Sequence, residues 1–345
     1  MNIKKRSSNF ELLRIIAMYL IVCHHYVLHG TLNIFKDNSS NSTILSVFAI
    51  GGKVGIDIFV MIGAYFLSEK EFKLSRLKNL VFETFFYSYF FFLLFGNKGV
   101  SSSTGIIGVL LPIPFDYWFV TTYFMILLLF PFINVLIKTL SRRRLGILIS
   151  ILLISISVVS LIPIKQVSAV LPELGATQLG SFIMLYLIGG YIRKYCTDYK
   201  YKNYGIFLTV IGIIISCSLV LFICAVASKY PNLGAYKLFL VDYYKLPIVV
   251  TATGIVLWVK FIKLGNNSVI NTLSSTTFGI YLIHDNEYVR KIIWPLINNI
   301  QYNSLITSLI ATILIPLVIF IVCSLIDIIR QLIFKYIRYF SRIRE

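Results

Sequence analysis

Arg14 and His25 stand eleven residues apart in the apolar stretch from Phe10 to Tyr26. A helical residue turns by about 100° and rises about 1.5 Å, so eleven steps return to nearly the same face, about 16 Å further along. The two side chains therefore share one stripe of a helix. A cation inside hydrocarbon is costly unless it faces a protein interior or a wet cavity, and a histidine can titrate near neutral pH. A neutral imidazole can take a proton from a hydroxyl nucleophile, and a guanidinium can hold a phosphate or another anion through paired hydrogen bonds. Together they describe a buried reaction site entered from a membrane face. Arg14 is expected near the inner end of the helix, and His25 about 22 Å deep, in the outer half of the bilayer.

Other polar residues within apolar runs are candidates for the same site. His24 is rotated by about 100° from His25, which takes it off the Arg14 stripe and suits a helix–helix hydrogen bond. His29 is expected at the interface. Asp57 interrupts the run from Gly55 to Met61 and needs a partner, which Arg14 or Lys53 could supply. It then serves either as a structural ion pair or to orient the catalytic group. Glu83 could meet the same need, and Glu11, three residues before Arg14, could pair with it. His284 and Asp285 end one run, and Asp116 and Trp118 begin another. If these ends meet at the outer side, His25, His284, Asp116 and Trp118 frame an acceptor site.

The elements that must position these groups are membrane helices. The chain has 345 residues, 58% hydrophobic and 13% charged, with a mean hydropathy of +0.84, a composition no soluble core absorbs. Runs long enough to cross hydrocarbon fall near 10–28, 44–67, 79–96, 117–137, 145–163, 178–192, 205–227, 246–262, 269–287 and 304–327. The expected fold is all-α: one polytopic domain over residues 1–345, with about ten transmembrane helices. The first run follows Lys4, Lys5 and Arg6 as a signal peptide would, but it contains Arg14 and no small-x-small cleavage site follows, so it reads as a retained helix.

Charge sets the orientation. With the N-terminus inside, 22 of the 32 Lys and Arg residues fall in the tails and even-numbered loops, 8 in the outer loops, and Arg14 and Lys53 within the spans. Both termini are therefore expected in the cytosol. The same bias accounts for the net charge of +18 without nucleic acid. The five cysteines form no CxxC pair, so neither a disulfide framework nor a metal site is implied. Gly51 and Gly55 are spaced to let a neighbouring helix approach closely. The run from Arg330 to Arg342 reads as a basic amphipathic segment on the inner leaflet.

At these residues the chain resembles the acyltransferase family 3 membrane proteins. The most specific element is an arginine followed, after ten intervening residues, by a histidine on the first helix, matched by Arg14 and His25. Supporting elements are the segment from Gly55 to Phe66, similar to the family's second-helix pattern; Tyr117, Trp118 and Phe119 before the fourth helix; and Tyr281 to His284, like its Tyr-Leu-Ile-His segment. The resemblance implies acyl transfer to cell-surface polysaccharides, peptidoglycan, lipids or small molecules, with His25 in the transfer and Arg14 on the donor side. It also maps the family's basic pair after the second helix onto Lys73 and Arg76 as donor contacts. A lysine at the first of these binds phosphate only as a point charge. The hydrolase-like extension of some members has no counterpart here.

Two classes of function follow as expectations. The first is an acyltransferase of a multi-pass cell membrane, bacterial in type, that moves an acetyl group from acetyl-CoA to a hydroxyl of a surface glycan or its lipid-linked precursor. Acyl-CoA is then a co-substrate rather than a bound cofactor, and membrane lipid surrounds the chain. His25 acts as general base or briefly carries the acyl group itself. The second is an exporter or flippase of polysaccharide, with the buried charges lining a pathway.

Overall fold

The computed structural model describes residues 8–30, 33–96, 117–162, 178–298 and 304–343, and every regular element among them is helical. Twelve α-helices follow one another: α1 (Ser8–His29), α2 (Ser40–Leu67), α3 (Leu74–Phe95), α4 (Trp118–Thr139), α5 (Arg142–Leu152), α6 (Gln178–Tyr195), α7 (Tyr201–Lys229), α8 (Leu246–Val259), α9 (Ser268–Ser275), α10 (Thr277–His284), α11 (Glu287–Asn298) and α12 (Leu305–Ile343). A π turn over Leu153–Val158 extends α5, and two 3₁₀ turns, Pro231–Tyr236 and Phe239–Val241, lead from α7 to α8.

Among the described residues, seven stretches are long and apolar enough to cross a membrane: Ser8–His29, Ser40–Leu67, Trp118–Thr139, Arg142–Leu161, Tyr201–Lys229, Pro231–Val259 and Leu305–Ile337. The sequence pattern predicts ten, and the other three runs differ for visible reasons. α3 carries Lys78, Asn79 and Glu83 among its aromatics, and α6 has 18 residues and closes on Arg193 and Lys194. The ninth run is divided at Thr276, whose hydroxyl donates to the Leu273 carbonyl at 2.7 Å and meets Ser324 Oγ at 2.9 Å. A side chain that competes for backbone partners favours such a break. The result is two short helices, α9 and α10, that can point in different directions.

α1 and α2 pack closely because glycines line their contact. A Cβ at Gly55 would lie 2.7 Å from the Ala17 carbonyl oxygen, and one at Gly52 would collide with the His24 side chain. Gly51 faces Leu20 in the same way, so the stripe of small residues lets the backbones approach. α2 then sits at the centre of the bundle, against α1, α6, α8 and α7.

Polar contacts tie helix ends together in two groups. At one end Asn9 Nδ2 donates to the Val259 carbonyl (2.8 Å), Asn134 Nδ2 to Leu67 (2.9 Å), Lys194 Nζ to Ile137 (2.6 Å) and Lys260 Nζ to Ile192 (2.8 Å). At the other end Lys53 pairs with Asp242 (2.8 Å), Lys237 Nζ donates to Ile34 (2.7 Å), and Lys245 donates to Ser160. Apart from the Lys53–Asp242 pair, whose lysine lies within a span, each bond joins segments that the charge pattern assigns to the same side. The basic loops thus gather at the end that holds the start of α1. We expect this end to face the cytosol. Single-cysteine labelling of intact cells should leave a cysteine at position 143 unmodified by an impermeant reagent and should modify one placed just after His29. Efficient outside labelling at 143 would invert the orientation.

The C-terminal basic segment continues α12, and its first residue departs from expectation: Arg330 turns inward onto Glu83 (2.7 Å) and Asp327 (2.8 Å). Tyr87 Oη also donates to Asp327, at 2.6 Å. The sequence places Arg330 in a basic run on the inner leaflet, whereas here it closes a network that joins α3 and α12.

Candidate active site

His25 belongs to the fourth turn of a stripe on α1 that runs Arg14, Met18, Ile21, His25, with steps of four, three and four residues. His284 is the last residue of α10. The two helices bring His25 Nδ1 to 2.9 Å from His284 Nε2, although the residues lie 259 apart in the chain. His284 Nδ1 is in turn 2.6 Å from the Ile280 carbonyl oxygen. Asp285 Oδ1 lies 3.7 Å from His25 Nδ1, and Arg290 Nη1 lies 3.4 Å from the same carboxylate oxygen.

These distances fix the tautomers of a neutral pair. A carbonyl oxygen only accepts, so His284 Nδ1 carries the hydrogen that points at Ile280. A neutral imidazole has one N–H, so His284 Nε2 is an acceptor and His25 Nδ1 must donate to it. Among the described residues, His25 Nε2 is left with its lone pair uncommitted. His25 is thereby oriented as a proton acceptor, with a second imidazole and a carboxylate behind it that favour the imidazolium once formed.

The end of α10 is held in place by residues that sequence reasoning did not assign. Tyr117 Oη donates to the Leu282 carbonyl at 2.7 Å, and Asn286 Nδ2 donates to Tyr117 Oη at 2.8 Å. Tyr117 is fully buried at the start of α4. Its place in the Tyr-Trp-Phe triplet was a usable signal, but its target is a backbone group that no sequence pattern marks. Arg290 went unassigned because α11 reads as an exposed segment.

His25 lines a narrow cavity of about 40 Å³, with Met18, Ile21, Phe59, Trp118 and Tyr281 among its walls. That volume holds only a few waters. A second cavity, of about 370 Å³, lies further down the bundle and brings together Arg14, Arg76, Glu83 and Tyr123. Arg14 Nη1 donates to both oxygens of Glu11, at 3.0 and 2.8 Å, and its guanidinium sits 5.7 Å from the Phe66 ring centroid. Glu11 also accepts from Ser274 Oγ at 2.5 Å. Arg76 Nη1 donates to the Glu71 carbonyl at 2.5 Å. This cavity can hold an anion between two guanidinium groups.

The remaining candidates separate. Trp118 shares the His25 cavity, whereas Lys73 precedes α3, is exposed and does not line the Arg14 cavity. Asp116 lies outside the described residues. His24 Nδ1 meets the Ala49 carbonyl oxygen at 2.6 Å, the helix–helix bond expected of it, and His29 is exposed at the end of α1, its ring 6.2 Å from that of Trp294.

Asp57 corrects an expectation. Arg14 is paired with Glu11, Lys53 is paired with Asp242, and neither Asp57 oxygen has a hydrogen-bond partner among the described residues although the side chain is fully buried. Asp57 shares a stripe of α2 with Lys53 and Met61, whose partners are Asp242 and Thr253, so it faces the α8 side. The neighbouring stripe, Ile56 and Phe59, is the one that lines the His25 cavity. Glu83 likewise pairs with Arg330 rather than with Arg14.

A family model described as an acyltransferase domain matches residues 7–327 of the chain. Searches of curated proteins and of solved structures give no match.

Proposed function

The chain belongs to acyltransferase family 3, whose domain accounts for residues 7–327, and from that premise we propose that it moves a short acyl group, acetyl in the simplest case, from a cytosolic acyl-CoA to a hydroxyl of a surface polysaccharide or its lipid-linked precursor. The observation that carries the reading is the His25–His284 pair, because it leaves one nitrogen of His25 free to accept a proton. Arg14, at the inner end of the His25 stripe, and Arg76 on α3, which lines the same cavity, supply cationic groups for the donor's phosphates.

In this reading the acceptor hydroxyl gives its proton to His25 Nε2 as its oxygen attacks the thioester carbonyl carbon. The carbon–oxygen bond forms, the carbon–sulfur bond breaks, and the departing thiolate takes the proton from His25. The imidazolium that exists between these events donates from Nδ1 to His284 Nε2 and faces Asp285. A route in which His25 Nε2 itself takes the acyl group uses the same free lone pair. In the same reading Trp118, which lines the His25 cavity, packs against the acceptor sugar.

Mass spectrometry of surface glycans from cells with and without the protein tests the reading. The expected result is an acyl modification present only when the protein and its His25 are intact. Unchanged glycan mass together with altered glycan location would favour an exporter instead.

A further inference from the structure

We propose that Phe278 is a partition between the anion-holding cavity and the reacting histidine, and that its ring restricts the donor to short acyl chains. The inference rests on the acyl-thioester reading above and deepens it by naming what limits the acyl group.

Three helices run past both cavities. On α1, Arg14 lines the larger cavity, and Met18, Ile21 and His25 line the smaller one. On α2, Gly63 and Phe66 belong to the larger cavity and Ile56 and Phe59 to the smaller. On α4, Tyr123 faces the larger and Phe119 the smaller, and their rings stack at 5.9 Å between centroids. Each helix presents one continuous stripe to a single column about 16 Å long between Arg14 and His25. Among the described residues, Phe278 alone lines both cavities. Phe278 therefore stands where the two cavities meet, beside the stacked Phe119 and Tyr123 rings.

The backbone that carries this ring is held firmly. Thr276, two residues before it, bonds Leu273 and Ser324, and Gly279, just after it, packs against Asp327 so closely that a Cβ there would collide with the carboxylate. Asp327 is itself fixed by Tyr87 and Arg330. The half-buried Phe278 ring is left as the part that can turn. It stands six residues before His284 on α10, so one helix presents the partition at its first turn and the partner of His25 at its end. Beyond the partition the space is about 40 Å³ and walled by Ile21, Ile56 and Phe59, which suits an acetyl group and crowds a long chain.

The test uses the purified full-length protein and three probes: acetyl-CoA, butanoyl-CoA and octanoyl-CoA, each tritiated in the acyl group, with binding measured directly. The wild type should bind octanoyl-CoA about tenfold or more weakly relative to acetyl-CoA, and Phe278→Ala should close most of that gap. Phe278→Leu should do so in part, which keeps the test open if the alanine variant fails to fold, and Phe278→Trp should weaken acetyl-CoA as well. The ratio of the two affinities is the readout, because a merely structural role would lower both together. If the wild type shows Arg14-dependent binding and the ratio is the same in the alanine and leucine variants, the partition is refuted and the donor reading stands. If none of the three acyl-CoA probes binds the folded wild type, the donor reading falls and the partition with it.

Discussion

His25→Ala is expected to reduce acyl transfer by about 10²–10⁴-fold at matched membrane abundance. The size follows from what is lost, since the alanine variant keeps both cavities and the basic end of the column but has no group to accept the acceptor's proton. It also leaves His284 Nε2 without its donor, a cost of about 1–3 kcal/mol in a buried site, so the amount of folded protein must be measured beside the activity. His24→Ala is the internal control. It removes the bond to the Ala49 carbonyl and should lower stability by about 0.5–1.5 kcal/mol while leaving activity per folded molecule largely intact. Equal loss of activity per folded molecule in both variants would show that facing the column does not distinguish the two imidazoles.

The same geometry predicts a graded response at His284, which acts through His25. His284→Gln can still offer an oxygen to His25 Nδ1, whereas His284→Phe cannot, so activity should fall in the order wild type, glutamine, phenylalanine. Identical activity in the glutamine and phenylalanine variants, at equal abundance, would mean that the His25 tautomer is set by something else. Asp285 at 3.7 Å is the alternative partner in that case.

How much of this site could be read from the sequence depended on whether the relation was local. Arg14 and His25 were legible because a helical period alone puts them on one stripe, and Glu11 because three residues bring it within reach of Arg14. His284 was legible as a polar residue at the end of an apolar run. Its pairing with His25 was not, since it depends on how α10 leaves the break at Thr276, which arises from a hydroxyl bonded across to α12. Lys53 shows the opposite failure. It stands four residues from Asp57 and so offered a local partner, but it bonds Asp242 in a segment without periodicity, leaving Asp57 without a hydrogen-bond partner among the described residues. Arg330 reads from the sequence as the start of a basic inner-leaflet run, and its pairing with Glu83 is not legible because Glu83 is 247 residues away in the chain. The helical class followed from composition; seven of the ten runs are, among the described residues, long and apolar enough to cross a membrane, and the division of the ninth at Thr276 rests on a contact with Ser324 that no local pattern marks.

Arg14→Lys is expected to weaken acetyl-CoA binding by about ten- to hundredfold without reducing the amount of folded protein. Among the described contacts, only Nη1 of Arg14 is engaged by Glu11, so Nη2 and Nε remain for a phosphate oxygen, in the planar arrangement that a lysine cannot reproduce. A hydrogen bond to a charged group contributes about 1.5–3 kcal/mol, which sets the size of the effect. Lysine keeps the positive charge beside Glu11, so the local ion pair that anchors the first turn of α1 to Ser274 should survive. Alanine removes both functions, leaving Glu11 as a buried carboxylate without its cation, and should lower folded protein as well as binding. The two substitutions thus separate donor recognition from packing. If the lysine variant binds acetyl-CoA as the wild type does, while the alanine variant only diminishes folded protein, Arg14 serves to neutralise Glu11, and the cation for the donor must be sought at Arg76, across the same cavity.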